Sequence, residues 1–75
     1  MPRLLIADDD DVLRDLLGMD LSKEFEVIEA RNGKEAVEKY VELKPDVVLM
    51  DIVMPEMDGV QATKEILKID PMLEL

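Results

Sequence analysis

The chain has 75 residues, so it can form at most one small domain. Nineteen acidic residues against nine basic ones give a net charge of −10, which repels nucleic acids and anionic lipids, so we expect no nucleic-acid partner. The sequence contains no Cys and no His, which excludes disulfides, thiolate nucleophiles and imidazole bases from it. Carboxylates are therefore its most abundant reactive groups.

The apolar runs of the sequence are short. The longest, such as Leu4 to Ala7 and Val47 to Met50, fall far below the ~18 residues that a membrane span requires. The sequence does not open with a basic and then apolar leader. We therefore expect a cytoplasmic chain with no membrane segment.

The first predicted βα unit begins with the strand-length apolar run Leu4 to Ala7, and its continuous apolarity predicts burial on both faces. Asp10 or Asp11 can cap the helix that follows. This helix has one apolar stripe, which another element must cover. The stripe consists of Val12, Leu13, Leu16 and Leu17.

The second unit places a strand at Phe25 to Ile28, where neighbouring glutamates indicate a half-exposed edge strand. We expect its helix to begin at Asn32-Gly33 and to end before Pro45, because the residue before a proline disfavours the α region. The side chains predicted to face inward are Ala36, Val37, Tyr40 and Val41.

The third unit has a continuously apolar strand at Val47 to Met50, which predicts burial on both faces. Asp58 is expected to cap the last helix, with Gln61 as its partner in a capping box. The helix should end at Asp70-Pro71. Its predicted apolar stripe consists of Val60, Thr63, Ile66 and Leu67.

Three successive βα units predict an α/β fold. Because parallel crossovers are right-handed, the simplest arrangement is a parallel sheet of order 2-1-3 with helices on both faces. The third strand then lies at an edge and has unpaired backbone groups. We therefore expect a homodimer in which two third strands pair antiparallel to form a six-stranded sheet, with a domain-swapped dimer as the second possibility.

Acidic residues follow the two strands predicted to be neighbours: Asp8 and Asp9 follow the first, and Asp51 follows the third. Ligand sites of open α/β sheets lie beyond the carboxyl ends of the strands, where the strand order reverses, and neighbouring strands are only ~4.8 Å apart. Converging carboxylates repel one another unless a cation neutralises them, and an oxygen-only ligand set of this kind suits Mg²⁺ better than Ca²⁺. Asp51 stands alone at its strand end and is the better candidate for a nucleophile toward phosphorus.

Simpler interpretations exist for the same acids. Helix capping alone could explain the run from Asp8 to Asp11, and a turn could explain Asp51. Asp10 and Asp11 keep the capping interpretation, whereas the acid on the neighbouring strand favours a metal site for Asp8 and Asp9. A phosphatase of the Asp-x-Asp type is a weaker alternative, because the Thr and the later Lys-bearing motif that it requires do not follow.

Four motifs are specific when they occur in this order. They are Leu5-Ile6-Ala7-Asp8-Asp9, Asn32-Gly33-Lys34-Glu35-Ala36, Pro45-Asp46-Val47-Val48-Leu49-Met50-Asp51 and Met54-Pro55-Glu56-Met57-Asp58-Gly59. Taken together, these motifs resemble the receiver domain of two-component response regulators. The resemblance covers about the first seventy residues and implies that Asp51 accepts a phosphoryl group from a partner histidine kinase or phosphotransferase. It also implies that Asp51, Asp9 and the backbone carbonyl of Val53 bind Mg²⁺. Asp9 would do so directly, and Asp8 would bind the ion mostly through water.

The resemblance also identifies what the sequence lacks. The family has a flavodoxin-like fold of five strands in the order 2-1-3-4-5, whereas this sequence contains three βα units. The Thr or Ser that ends the fourth strand and the Lys that ends the fifth have no counterpart. We therefore expect residues 1–75 to be a truncated receiver domain that is not an enzyme and has impaired phosphotransfer. The alternative is an engineered or natural half-domain whose main property is self-association through the edge of its third strand.

Overall fold

The structure, a computed structural model, describes residues 1–51, 54 and 56–70. Its strands form one parallel sheet in the order β2-β1-β3. This arrangement confirms the predicted α/β fold and sheet order. The elements alternate along the chain as β1 (Arg3–Ala7), α1 (Asp11–Leu21), β2 (Glu26–Ala30), α2 (Gly33–Leu43), β3 (Val47–Met50) and α3 (Gly59–Ile69).

Strand β1 lies at the centre of the sheet. Its Leu5 pairs with Ile28 of β2 on one side and with Val48 of β3 on the other. The side chains from Leu4 to Ala7 are at most 2% exposed, as the continuous apolar run predicted. Because β1 is fixed by both neighbours, its carboxyl end has a well-defined position beside that of β3.

One face of the sheet packs against α2, and α3 contacts α2 and contributes Ile66 to the same core. Burial of the apolar side chains between these layers provides the main driving force for folding. The hydroxyl of Tyr40 donates a hydrogen bond to Asp70 Oδ2 at 2.9 Å and so links the two helices. The buried residues of this core are Leu5, Ala7, Ala30, Ala36, Tyr40, Val48, Met54 and Ile66.

Each helix begins at a side chain that accepts hydrogen bonds from main-chain N–H groups of its first turn. These N-caps are Asp10, Asn32 and Asp58, at the predicted positions. Helix α2 ends at Leu43, after which Lys44 adopts a left-handed conformation with φ 46°. Each of the three helices has eleven residues. Within the part of the chain that the structure describes, no helix is long and apolar enough to cross a membrane.

The predicted apolar stripes were partly wrong. Helix α1 buries Arg14 and Gly18, whereas Val12 and Leu16 of the predicted stripe are 69% and 59% exposed. Periodicity identifies the apolar positions of a helix but not whether another element covers them. Two further residues that were predicted to face inward, Val41 of α2 and Val60 of α3, are exposed for the same reason.

Strands β2 and β3 also differ from the predictions. Strand β2 is half-exposed as expected, but it spans Glu26–Ala30 rather than Phe25 to Ile28. The prediction that β3 is buried on both faces was wrong, because Val48 faces the core while Leu49 is 44% exposed. Helix α1 packs on β1 and β2 and does not extend over β3, so the face of β3 that carries Leu49 is exposed.

The link between Tyr40 and Asp70 leads to a pH-dependent prediction. Burial raises the pKa of Tyr40, and the hydrogen bond and negative charge of Asp70 raise it further. Because the pKa of Tyr40 is higher in the folded chain, the hydrogen bond contributes its full stability below the pKa of the unfolded chain, about 10. This contribution is lost as the pH rises through the pKa of the folded chain. We expect Tyr40→Phe to lower the free energy of unfolding by about 1 kcal/mol at neutral pH and by less above pH ~10.

Urea unfolding of both proteins across this pH range measures the difference. Tyr40 is the only tyrosine of the chain, so phenolate absorbance reports its ionisation directly. The urea-unfolded chain serves as the control for an unperturbed tyrosine. Equal midpoint pH values for phenolate formation in the folded and the urea-unfolded chain would contradict the raised pKa of Tyr40.

Candidate metal centre

Strands β1 and β3 end side by side, with Ala7 paired to Met50. Asp51, the next residue, donates its main-chain N–H to the carbonyl oxygen of Ala7 at 2.9 Å. Carboxylate oxygens of Asp8, Asp9 and Asp51 lie within 4.8 Å of one another. The structure thus brings together three of the four site residues predicted from the sequence, and we call them the acidic cluster. The fourth, Val53, lies outside the described residues.

The other two acids of the run serve the helix. Asp10 Oδ1 accepts hydrogen bonds from the N–H groups of Val12 and Leu13 at 3.0 and 3.1 Å. Asp11 Oδ1 accepts a hydrogen bond from Nη2 of Arg14 at 2.6 Å. Asp10 therefore caps α1, as the capping interpretation predicted, whereas Asp11 lies in the first turn and forms an ion pair with Arg14.

Asp8 is held at three atoms. Its N–H donates to the carbonyl oxygen of Ala30 at 3.1 Å, which extends the pairing of β1 with β2 beyond Ala7. Its Oδ1 accepts from the N–H of Asp10 at 2.9 Å, and its carbonyl oxygen accepts from Nη1 of Arg14 at 2.8 Å. These bonds restrict the orientation of the turn that carries Asp8 and Asp9.

The sequence motifs do not single out Arg14, although its side chain is only 7% exposed. Two features of the sequence could have indicated its role. Asp11 precedes it by one helical turn, and Glu29 interrupts the apolar residues of β2. A basic residue with two acids in reach is a candidate for a buried ion-pair network.

An open groove of about 380 Å³ adjoins the acidic cluster. Asp8 and Asp51 line one part of it, and Leu13, Leu17 and Leu49 contribute apolar walls. The groove lies on the face of the sheet that carries α1. Asp51 is therefore accessible from this side of the sheet.

The loop after Asp51 approaches the start of α2 closely. The N–H of Lys34 donates to the carbonyl oxygen of Glu56 at 3.0 Å. Glu56 and Met57 both have positive φ, 49° and 77°, which is costly for residues other than glycine. A Cβ atom at Gly33 would overlap the carbonyl oxygen of Met57, so glycine is required there for the approach of the two backbones. The motifs around residues 33 and 57, far apart in sequence, thus meet in the fold.

The comparisons with known proteins identify the family. The sequence profile of the response regulator receiver domain matches residues 4–75, and the chain therefore belongs to this family. The chemotaxis protein CheY of Thermotoga maritima is 59% identical over 71 residues, which cover 92% of this chain and 59% of that protein. This result confirms the resemblance found in the sequence motifs.

Solved structures show the same arrangement of elements. A CheY-like receiver domain protein from Methanospirillum hungatei matches with a TM-score of 0.93 at 28% identity, over 99% of this chain and 60% of that one. The response regulator TrrA of Thermotoga maritima, solved in complex with Mg²⁺-BeF, matches with a TM-score of 0.88 at 36% identity, over 95% of this chain and 63% of that one. The chain thus has a flavodoxin-like arrangement of elements and spans about three fifths of the length of these relatives.

The contact between Gly33 and Met57 is testable. We expect Gly33→Ala to lower the free energy of unfolding by roughly 1–3 kcal/mol, because the added methyl group forces two backbone segments apart. Gly18→Ala is the matched control, since the nearest atom to its added Cβ is Val27 Cγ1 at 3.6 Å, an ordinary contact. Inside helix α1 this control should increase stability by up to ~1 kcal/mol. If urea unfolding gives the two variants equal stability, the close approach is wrong.

Proposed function

We propose that this chain is the phosphoacceptor part of a response regulator. Asp51 would accept a phosphoryl group from a histidine kinase or phosphotransferase, and Mg²⁺ would be held by Asp8, Asp9, Asp51 and the backbone carbonyl of Val53. The observation that carries this proposal is the convergence of three carboxylates within 4.8 Å at the ends of β1 and β3. Membership of the receiver family supports it independently.

The acidic cluster fits Mg²⁺ chemically. Its three side chains offer only carboxylate oxygens, which a hard divalent ion prefers. Asp9 is exposed, so water can complete the coordination, as Mg²⁺ usually requires. When bound, the ion would neutralise charge on the transferring phosphoryl group.

Asp51 supplies the nucleophile. A carboxylate oxygen attacks the phosphorus of a phosphohistidine, and an O–P bond forms as an acyl phosphate. The P–N bond breaks, and its electron pair passes to the imidazole nitrogen of the donor. Asp51 lines the open groove beside Asp8, which gives a donor group access to it.

We further propose that residues 1–75 on their own, not themselves an enzyme, accept phosphate slowly. The resemblance to the family implies that a Thr or Ser after the fourth strand and a Lys after the fifth complete the transfer. The sequence provides no counterpart of either residue. A cytoplasmic location stays a prediction from the sequence.

The metal and phosphoacceptor roles can be tested with two variants. We expect saturable Mg²⁺ binding by calorimetry, which Asp8→Asn should weaken because one ligand charge is lost. Incubation with a small acyl phosphate and Mg²⁺ should add one phosphoryl group, detected by mass spectrometry, and Asp51→Asn should abolish this addition.

Asp20→Asn is the matched control, since it removes one negative charge at an exposed position on α1 away from the acidic cluster. It should bind Mg²⁺ and accept phosphate like the unchanged chain. The proposal fails if the unchanged chain does not bind Mg²⁺ saturably, or if Asp51→Asn is still phosphorylated.

A second role, self-association, is favoured by the open side of β3. This strand pairs with β1 alone among the strands that the structure describes, so its other edge is available. Leu49 of β3 and the α1 residues Val12, Leu16 and Met19 are between 44% and 72% exposed. We propose that a second copy pairs with β3 antiparallel and covers these side chains, which gives a six-stranded sheet.

Light scattering at micromolar concentration tests this role. We expect a dimer that Leu49→Lys shifts toward the monomer, because a charge would be placed on the apolar surface beside the strand edge. Val41→Lys changes an equally exposed residue of α2, outside the proposed interface, and should leave the dimer intact. A folded monomer of the unchanged chain would refute the proposal.

A further inference from the structure

Arg14 is the charged residue that the fold buries most deeply. It is 7% exposed, and every other charged residue in the described ranges is more exposed to solvent. Burying a guanidinium is costly unless its charge is balanced and its N–H groups find acceptors. A residue that the fold retains at such a cost is a candidate for a specific task.

The guanidinium makes contact with three different parts of the chain. Nε donates to Glu29 Oε1 of β2 at 3.1 Å, and Nη2 donates to Asp11 Oδ1 of α1 at 2.6 Å. Nη1 donates to the main-chain carbonyl oxygen of Asp8 at 2.8 Å. The rigid, planar fork of donors that arginine provides suits this three-way contact, and a lysine ammonium cannot reproduce it.

Two acids balance the charge of Arg14 where it lies. Burial alone would lower the pKa of Arg14, but the hydrogen bonds and negative charges of Asp11 and Glu29 raise it above its ordinary value. With its charge balanced by these two carboxylates, the third nitrogen, Nη1, donates to a neutral carbonyl. That carbonyl belongs to the first residue of the acidic cluster.

The contact with Asp8 fixes a turn that is otherwise held by two bonds. The N–H of Asp8 is bound to Ala30, and its Oδ1 accepts from the N–H of Asp10. Asp10 in turn caps α1, the helix that carries Arg14. Arg14 therefore binds the same turn that caps its own helix. It also connects this turn to Glu29 of β2, the strand at the opposite edge of the sheet from β3.

We propose that Arg14 is a positioning residue for the metal centre: it holds the carbonyl of Asp8 so that the carboxylates of Asp8 and Asp9 stay beside that of Asp51. This inference deepens the proposed function and rests on it. The guanidinium acts through the main chain and does not touch the metal. Residues that orient metal ligands in this indirect way typically change metal affinity by about 10–100-fold when they are replaced.

The test uses Arg14→Lys, which retains the positive charge and removes the fork of donors. We expect Mg²⁺ affinity, measured by calorimetry, to fall about tenfold. Hydrogen exchange of the Asp10 amide, measured by NMR without metal, should become faster, because its acceptor Asp8 Oδ1 is less well fixed. Arg31→Lys is the matched control, since Arg31 is 70% exposed and pairs with Glu35 at the surface. It should change neither measurement.

A purely structural role for Arg14 gives a different result. In that case Arg14→Lys would lower stability, while the folded protein would bind Mg²⁺ like the Arg31→Lys control. If Arg14→Lys does not fold, Glu29→Gln replaces it, since this change removes one of the two charges that hold the guanidinium. Glu26→Gln, on the same strand and with an exposed side chain, is its control.

The outcomes separate this inference from the proposed function. Mg²⁺ binding that is equal in the unchanged chain and in the folded Arg14 or Glu29 variant overturns the inference and leaves the metal centre intact. Failure of the unchanged chain to bind Mg²⁺ overturns the metal centre and, with it, the positioning of metal ligands. The exchange rate of the Asp10 amide then decides only whether Arg14 fixes the turn.

Discussion

The pairing of β1 with β3 is the constraint on which the rest of the molecule depends. Because the two strands are parallel and in register, with Ala7 opposite Met50, the residues that follow them emerge at the same rim of the sheet. The hydrogen bond from Asp51 N–H to the carbonyl of Ala7 continues the ladder into the site itself. Any slip in this register would separate Asp51 from Asp8 and Asp9, which are 43 and 42 residues away in sequence.

The strength of this pairing comes from the covered face of the sheet. Leu5, Ala7 and Val48 belong to the core beneath α2 and α3, whereas the opposite face of β3 is open at Leu49. The strand ends that carry the acids are therefore fixed by side chains packed on the covered face, and the exposed face at Leu49 does not contribute to this core. This asymmetry explains how a small sheet with an exposed edge can still place three mutually repelling carboxylates together.

The sequence was sufficient to predict features that are determined locally or by strand order. The caps Asp10, Asn32 and Asp58 follow from short patterns, and the convergence of the acids follows from the sheet order 2-1-3. Features that depend on contacts between distant segments could not be read in this way. The exposure of Val12 and Leu49 depends on what covers them, and the role of Gly33 depends on the path of the loop at Met57.

Arg14 shows most clearly why a local pattern is insufficient. In the sequence it stands among the apolar residues of α1 and could extend into solvent, as long basic side chains on helices usually do. In the structure it is buried, because Glu29 of a neighbouring strand and Asp11 of the same helix supply the charges that make burial possible. Its third nitrogen, Nη1, then donates to the carbonyl oxygen of Asp8, whose side chain belongs to the acidic cluster. The acidic cluster is therefore linked through the carbonyl oxygen of Asp8 to a buried guanidinium, and only the tertiary fold brings that guanidinium to the turn.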